Sequence, residues 1–200
     1  MKHSMKRIMI VLTILLIVSS SFIYAITPSN YYGNMGKYYK WDSSSIKCYV
    51  DSTITSIFST SVCNYIKAGL TAWNNSDAPT VTFTTSYSNW DVLAEAGDYG
   101  SSGWDALCTN SCSSLSNNIY IEDYAIIDLN TYYLDNYLSV NNLWRAICCH
   151  EMGHAHGLAH NNNEDSIMNE YTTGYYNYLG SSPHFTAPQY ADFLGVNAIY

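Results

Sequence analysis

The eleven residues from His150 to His160 constrain the fold of this chain more than any other stretch. They read HEMGHAHGLAH and contain four of the six histidines in the 200-residue chain. His150 and His154 are four residues apart, so on a helix their imidazoles lie about 40° apart and one turn from each other. Two imidazoles that point to one spot are typical of a metal site. The spacing therefore predicts a helix with a metal on one face.

A third ligand is predicted just after this helix. Gly157 takes up a positive φ at little cost, so the chain can leave the helix there and bring His160 back to the metal. Three histidines and one open position form the coordination of a catalytic zinc. Glu151 is rotated about 100° from His150 on the helix. It is therefore predicted to act on a water molecule beside the metal as a general base, and not to be a ligand.

Two more histidines are predicted to stay outside this site. His156 lies two residues after His154, about 200° round the helix, so its ring faces away from the metal. His184 is a single histidine in a predicted loop. We expect no catalytic role for either of them.

The stretch matches H-E-x-x-H-x-x-G-x-x-H, and on this motif the chain resembles the metzincin metalloproteases, most of all their matrixin branch. DSIMNEY follows, and its Met168, eight residues after His160, resembles the Met-turn of that family. AGLTAWNN with VTFT resembles the family's first helix and second strand, and FTAPQYADFLGVNAIY resembles its closing helix. The resemblance covers Trp41 to Tyr200.

The resemblance implies an α+β fold with a twisted, mostly parallel sheet, two helices, and a small C-terminal subdomain that holds the Met-turn and the final helix. It implies a zinc-dependent endopeptidase in which Met168 forms an apolar floor under the histidines. Glu151 would take a proton from water and pass it to the leaving amine. A substrate peptide would lie extended against an edge strand within Gly103 to Cys108. Residues Tyr171 to Ser182 would form the wall of the pocket that takes the substrate side chain after the scissile bond.

The chain also departs from the family pattern. The N-terminal arm, Ile26 to Lys40, is too short for the usual pro-domain and has no cysteine, so we expect no cysteine switch and no proteolytic activation. Some metzincins have a tyrosine two residues after the methionine that reaches the zinc. Here that position is Glu170, and Tyr171 is the candidate for a transition-state role. No second His and Asp cluster resembles the structural zinc site of matrixins. Calcium is a further expectation, through one or more of Asp98, Asp105, Glu122 and Asp123.

The first 25 residues predict a secretory signal peptide. Three basic residues precede an apolar run from Ile8 to Val18, and the segment ends in the small residue Ala25. An uncleaved membrane anchor is the alternative. The longer stretch from Ile8 to Ile26 could nearly span a bilayer, but three serines interrupt it. Cleavage would release a secreted chain with the arm at 26–40 and a catalytic domain at 41–200. We expect a monomer without stable membrane association.

The charge of the cleaved chain limits its partners. Residues 1–25 hold three of the eight Lys and Arg residues and none of the 16 Asp and Glu residues, so cleavage leaves a net charge of −11. Such a surface repels nucleic acid and anionic lipid. The predicted partner is therefore a protein or peptide substrate.

All six cysteines follow the predicted signal peptide. An even number of cysteines in a secreted chain indicates up to three disulfides. Six cysteines allow fifteen pairings, and none is assigned; the local options are Cys48 with Cys63 and Cys108 with Cys112. Cys148 and Cys149 are adjacent on a predicted helix and do not meet disulfide geometry with each other.

Two other functions stay open from the sequence. The first is a non-enzymatic zinc-binding module, which Glu151 argues against because binding needs the histidines alone. The second is a disulfide-stapled surface protein with a vestigial site, which the Tyr- and Asn-rich composition would suit. Zinc content together with hydrolysis of an unfolded protein separates these functions.

Hydrophobic periodicity predicts the secondary structure. The predicted strands are 45–51, 80–86, 90–96, 104–108 and 117–123. The predicted helices are 59–75, 140–157 and 186–200, the last of them capped by Thr186.

Overall fold

The structure is a computed structural model that describes residues 38–116, 119–134, 141–161, 165–171 and 185–200. The predicted signal peptide, residues 26–37 of the arm and His184 lie outside the described residues. So does the predicted pocket wall, except for Tyr171.

Along the described chain, two strands are followed by two helices, then by four strands, and then by three more helices. The strands are β1 (Tyr38–Lys40), β2 (Ser45–Val50), β3 (Thr80–Thr84), β4 (Val92–Gly97), β5 (Ala106–Ser116) and β6 (Ile119–Asn130). The helices are α1 (Ser52–Ile57), α2 (Thr60–Leu70), α3 (Thr131–Leu134), α4 (Asn141–Ala155) and α5 (Tyr190–Asn197). This content confirms the predicted α+β class.

The sheet is mostly parallel. β3, β2, β4 and β6 lie side by side in that order and run parallel, and β5 runs antiparallel along β6. β1 pairs with the first three residues of β6, on the side away from β5. β5 therefore forms one edge of the sheet and β3 forms the other.

Helices α2 and α4 pack together over one face of this sheet. The strand residues on that face are buried, and they include Val92, Ala94, Ala125 and Ile127. A Cβ added at Gly69 would overlap the carbonyl oxygen of Arg145, so the glycine lets the two helix backbones come close. The Trp73 Nε1–H after α2 donates to the Cys149 carbonyl in α4, at 2.8 Å. These contacts fix α4, which carries the histidines, against the core.

Some element boundaries differ from the predicted ones. β5 and β6 continue to Ser116 and Asn130, well past the predicted 108 and 123. The short helices α1 and α3 were not predicted. Gln189, not Thr186, precedes the last helix, and the Gln189 and Asp192 side chains each accept a hydrogen bond from the other residue's backbone N–H. β1 lies within the predicted arm and pairs with β6, so Tyr38–Lys40 belong to the sheet.

All six cysteines lie in the described residues and are free thiols, so the predicted disulfides are not formed in the structure. Cys108 and Cys112 both lie in β5, where four residues span about 13 Å. A disulfide needs Cα atoms within about 7 Å, so the strand forbids this pairing. Cys48 and Cys63 are both buried in the core, and burial raises the pKa of the Cys48 thiol to about 12.

Candidate metal centre and active site

Helix α4 carries the first two histidines of the motif and ends where the sequence predicts. Gly157 has a φ of 93°, which only glycine adopts at little cost. A Cβ at this position would also overlap the carbonyl oxygen of Tyr39 in β1. Gly157 therefore allows both the turn out of α4 and the close approach of β1.

The structure brings the three predicted ligands together. The Nε2 atoms of His150 and His154 are 3.0 Å apart, and His160 Nε2 lies 3.1 Å from the first and 3.0 Å from the second. His150 and His154 are buried, and His160 closes the triangle from the exposed side. Within the described parts of the chain, this is the one group of three or more His, Cys, Asp or Glu residues arranged to hold a metal ion.

Backbone carbonyls fix the protonation of two of these rings. His150 Nδ1 lies 2.7 Å from the Ile167 carbonyl oxygen, and His154 Nδ1 lies 2.8 Å from that of Leu158. A carbonyl oxygen only accepts, so each Nδ1 carries the proton and each Nε2 turns a bare lone pair to the triangle. Burial lowers the pKa of His154 to about 3 and that of His150 well below its usual value, which also favours neutral rings.

A zinc ion fits these donors. Lone pairs that converge at about 3 Å repel one another unless a cation lies between them. The Nε2 atoms are 3.0–3.1 Å apart, a spacing at which all three could bind one ion at the usual Zn–N distance of about 2.0–2.1 Å. Three imidazole nitrogens with one open side match a catalytic zinc better than calcium, which takes six or more oxygen ligands.

Glu151 lies beside the triangle and is not part of it. The Cys108 backbone N–H donates to the Glu151 carboxylate. Burial and the nearby Asp105 carboxylate raise the pKa of Glu151 to about 8, against the lowering effect of that hydrogen bond. A cation in the triangle would lower this pKa, because it favours the carboxylate. The side chain is therefore suited to exchange a proton near neutral pH.

Met168 packs directly under the ligand helix. Its side chain is fully buried. A Cβ added at Gly153 would overlap the Met168 sulfur and would also come 2.8 Å from Trp73. The glycine between the two helical ligands therefore makes room for the methionine and the tryptophan.

Asp192 of α5 holds the turn before Met168. Its carboxylate accepts hydrogen bonds from the Ser166 hydroxyl and from the Ile167 N–H, the latter at 3.0 Å. The Ser166 hydroxyl oxygen in turn accepts from the Met168 N–H at 2.9 Å. The Ile167 carbonyl is the one that orients His150, so Asp192 acts on the site through this turn.

The residues after Met168 lie differently from the pattern of some metzincins. The side chain of Tyr171 is 67% exposed, and its N–H donates to the Asn169 side chain. Burial lowers the pKa of His160. The negative charge of Glu170 opposes this shift but is the smaller effect. Glu170 therefore acts electrostatically on the third histidine.

His156 stays outside the triangle, as its position on the helix predicts. It is fully buried with its ring edge-on to Trp73, 6.1 Å between ring centres. Neither ring nitrogen has a hydrogen-bond partner in the part of the chain that the structure describes. Burial lowers the pKa of His156 to about 3, so the ring is a neutral core side chain.

The expected calcium ligands do not form a metal-binding group among the described residues, so calcium is not supported. Asp98 accepts from the Gly100 N–H, and Asp123 accepts from the Ser113 hydroxyl. Among the described residues, no group arranged to hold a metal includes any of these four carboxylates, those of Asp98, Asp105, Glu122 and Asp123.

Sequence reasoning missed three side chains that hold the site in place. Trp41 Nε1 donates to the Ala155 carbonyl at 2.7 Å, and Asn110 Nδ2 donates to that of His154 at 2.9 Å. Asp192 is the third. A signal existed for Asp192 alone, because it is the single charged residue in the last fifteen.

Comparison with known protein families agrees with this geometry. Residues 40–200 match the family model of the matrixins, peptidase family M10. The chain belongs to the matrixin family. Matrixins are zinc metallopeptidases, and the histidine triangle of this matrixin fits the zinc ion that the family binds. A comparison with curated proteins gives no match. Among the described residues of this matrixin, none of the helices has the length and apolar character needed to span a membrane.

Proposed function

We propose that this matrixin is a secreted endopeptidase that hydrolyses peptide bonds of protein substrates with a zinc ion held by His150, His154 and His160. One observation carries the proposal. The three Nε2 atoms lie about 3 Å from one another, and the Glu151 carboxylate is held next to them by a backbone N–H. A module that only binds zinc has no need for this buried carboxylate.

The residues of the chain divide the chemistry between them. A zinc ion in the triangle would polarise the scissile carbonyl and lower the pKa of a water molecule toward neutrality. Glu151 accepts the proton of that water and delivers it to the leaving amine. The carbonyls of Ile167 and Leu158 keep two ligand rings in the binding tautomer. Met168 closes the site from below and excludes water.

The substrate would lie along β5. Among the described residues, β5 pairs only with β6, so its other edge has backbone groups for an added strand. Of the predicted range Gly103–Cys108, only Ala106–Cys108 lies in the strand. Cys108 also contacts Glu151, so an extended peptide on this edge passes the general base. This favours unfolded or loop segments of proteins as substrates.

Further parts of the proposal rest mainly on the sequence. The segment 1–25 would direct secretion and be removed, and the released protein would be a monomer. Tyr171 is the candidate for stabilising the transition state. The catalytic domain would comprise residues 41–200 together with β1.

The substitution Glu151→Gln tests the function. It keeps the size of the side chain and removes the base, so hydrolysis of an unfolded protein should fall by about 10²–10⁴-fold. Zinc content should stay at the wild-type level, because Glu151 is not a ligand. Glu95→Gln, on β4 outside the site, is the matched control. Equal hydrolysis by wild type and Glu151→Gln would refute the mechanism, and a zinc-loaded wild type without hydrolysis would favour the binding module.

A further inference from the structure

Asn110 joins the edge strand β5 to the end of the ligand helix α4. Its Nδ2 donates to the His154 backbone carbonyl at 2.9 Å, across 44 residues of sequence. Its Oδ1 accepts from the Cys108 thiol at 3.2 Å. Both polar ends of this half-buried amide are therefore used, as buried polar groups require.

The carbonyl that Asn110 contacts lies at the point where the ligand helix stops. Carbonyls in the last turn of a helix lack the usual partner four residues on. The His154 carbonyl also accepts from the Gly157 N–H at 2.9 Å, in the turn that leads to His160. Asn110 therefore acts at the junction between the second and third ligands.

The same strand also holds the proposed general base. Cys108 and Asn110 pair in register with Ile127 and Ala125, which are buried on the helix side of the sheet. Residues two apart in a strand share a face, so Cys108 and Asn110 both face α4. The Cys108 N–H donates to Glu151 while the Asn110 amide donates to His154.

This position is unusual for an asparagine. Asn is depleted in strands, and packing of a strand on a helix is ordinarily made by apolar side chains. The neighbouring Thr109 and Ser113 are exposed and face water. Asn110 is instead turned inward, with its amide directed at one carbonyl of the ligand helix.

We propose that Asn110 is a positioning residue. It fixes the ligand turn, His154 to His160, relative to β5, the strand that holds Glu151 and would bind the substrate. The part of this proposal that concerns rate rests on the proposed function. The part that concerns the metal site does not.

The test uses Asn110→Asp. This variant keeps the shape of the side chain but places a carboxylate oxygen, which only accepts hydrogen bonds, opposite the His154 carbonyl oxygen. Asn110→Ala removes the donor without adding charge near Glu151, and it keeps the test usable if the first variant does not fold. Thr109→Ala, on the outer face of the same strand, is the control for the two metal readouts. The readouts are kcat and KM for a peptide, the rate of zinc release to a chelator, and the visible spectrum of Co²⁺-substituted protein.

Misplaced ligands and base should lower kcat by roughly tenfold to a hundredfold while KM changes little. Zinc should leave about tenfold faster, as when an outer-shell contact is lost. The Co²⁺ spectrum should change, because it reports ligand geometry. Thr109→Ala should match wild type in zinc release and in the Co²⁺ spectrum.

Unchanged zinc release and an unchanged Co²⁺ spectrum in both Asn110 variants would overturn the proposal, even if the melting temperature falls. Equal effects from Thr109→Ala would overturn it as well. A wild type that binds zinc but cleaves no peptide would refute the proposed function instead. In that case zinc release and the Co²⁺ spectrum still decide the role of Asn110.

Discussion

His150 Nδ1 and the Ile167 carbonyl oxygen, 2.7 Å apart, join the ligand helix to the turn that precedes Met168. The contact sets the tautomer of His150 and fixes the ring plane. The turn is held in its own place by Asp192, so the state of the first ligand depends on a carboxylate of the last helix.

Asp192→Asn should weaken both the fold and the metal site. The carboxylate accepts from Ser166, Ile167 and Gln189, and an amide nitrogen in place of one oxygen would face a donor. An unsatisfied buried group costs about 1–3 kcal/mol. Urea unfolding should show a loss of this size, and zinc affinity should fall with it. The control is Tyr190→Phe, on the exposed side of α5, which should leave stability and zinc affinity unchanged. A zinc affinity equal to that of wild type in Asp192→Asn would contradict the link to His150.

His160→Ala should release the metal while the fold persists. His160 is the exposed member of the triangle, so its removal leaves no cavity in the core. Loss of a side chain that only hydrogen-bonds a metal ligand lowers metal affinity by about 10–100-fold. Loss of a ligand itself should lower zinc affinity by more. Equilibrium dialysis against zinc measures this. His156→Leu is the matched control, because His156 is a buried histidine whose nitrogens are unused in the described part of the chain. Stoichiometric zinc in His160→Ala would show that the ligand set is wrong.

The metal site was predictable because its parts are local. His150, His154 and His160 lie within eleven residues, and helix geometry alone directs the first two to one point. Gly157 marks the turn because of its backbone freedom, and its φ of 93° agrees. Within such a short stretch, spacing determines geometry.

The supports of the site were not predictable because they are distant in sequence. Asn110 acts on a carbonyl 44 residues away, and nothing in the sequence around Asn110 indicates that partner. The length of β5 was missed for a related reason. ALCTNSCSSLS is rich in Ser, Thr and Asn and has no apolar alternation, because the strand lies at the edge of the sheet and has exposed residues. Pairing with β6 makes it a strand.

Gly153→Ala should destabilise the protein through Met168. The added methyl group would overlap the methionine sulfur and press on Trp73, and overpacking of this kind costs about 1–3 kcal/mol. Met168→Ala in the same chain removes one of the two collisions. The double variant should therefore lose less stability than the sum of the single variants, as measured by urea unfolding. Simple additivity would mean that Gly153 and Met168 do not share this space.

Glu122 gives the protein a pH dependence that is independent of the metal site. Its side chain is 5% exposed, and neither carboxylate oxygen has a hydrogen-bond partner in the described ranges. Burial, with a smaller contribution from Asp123, raises the pKa of Glu122 from 4.5 to about 8. Between these values the folded protein keeps a proton that the unfolded chain gives up. The free energy of unfolding therefore decreases as the pH rises from about 4.5 to about 8, and this group contributes no further change outside that window.

Glu122→Gln removes this titration and keeps a neutral side chain of the same size. The melting temperature of the variant relative to wild type should be nearly equal at about pH 5, should rise through neutral pH, and should level off above about pH 8. Melts should be recorded on metal-free protein, because zinc binding by the histidines also depends on pH. Asp42→Asn, which removes an exposed carboxylate far from Glu122 in sequence, is the control. A Glu122→Gln difference that is constant from about pH 5 to about pH 9 would mean that Glu122 is ionised in the folded protein throughout, despite its burial and its lack of a partner.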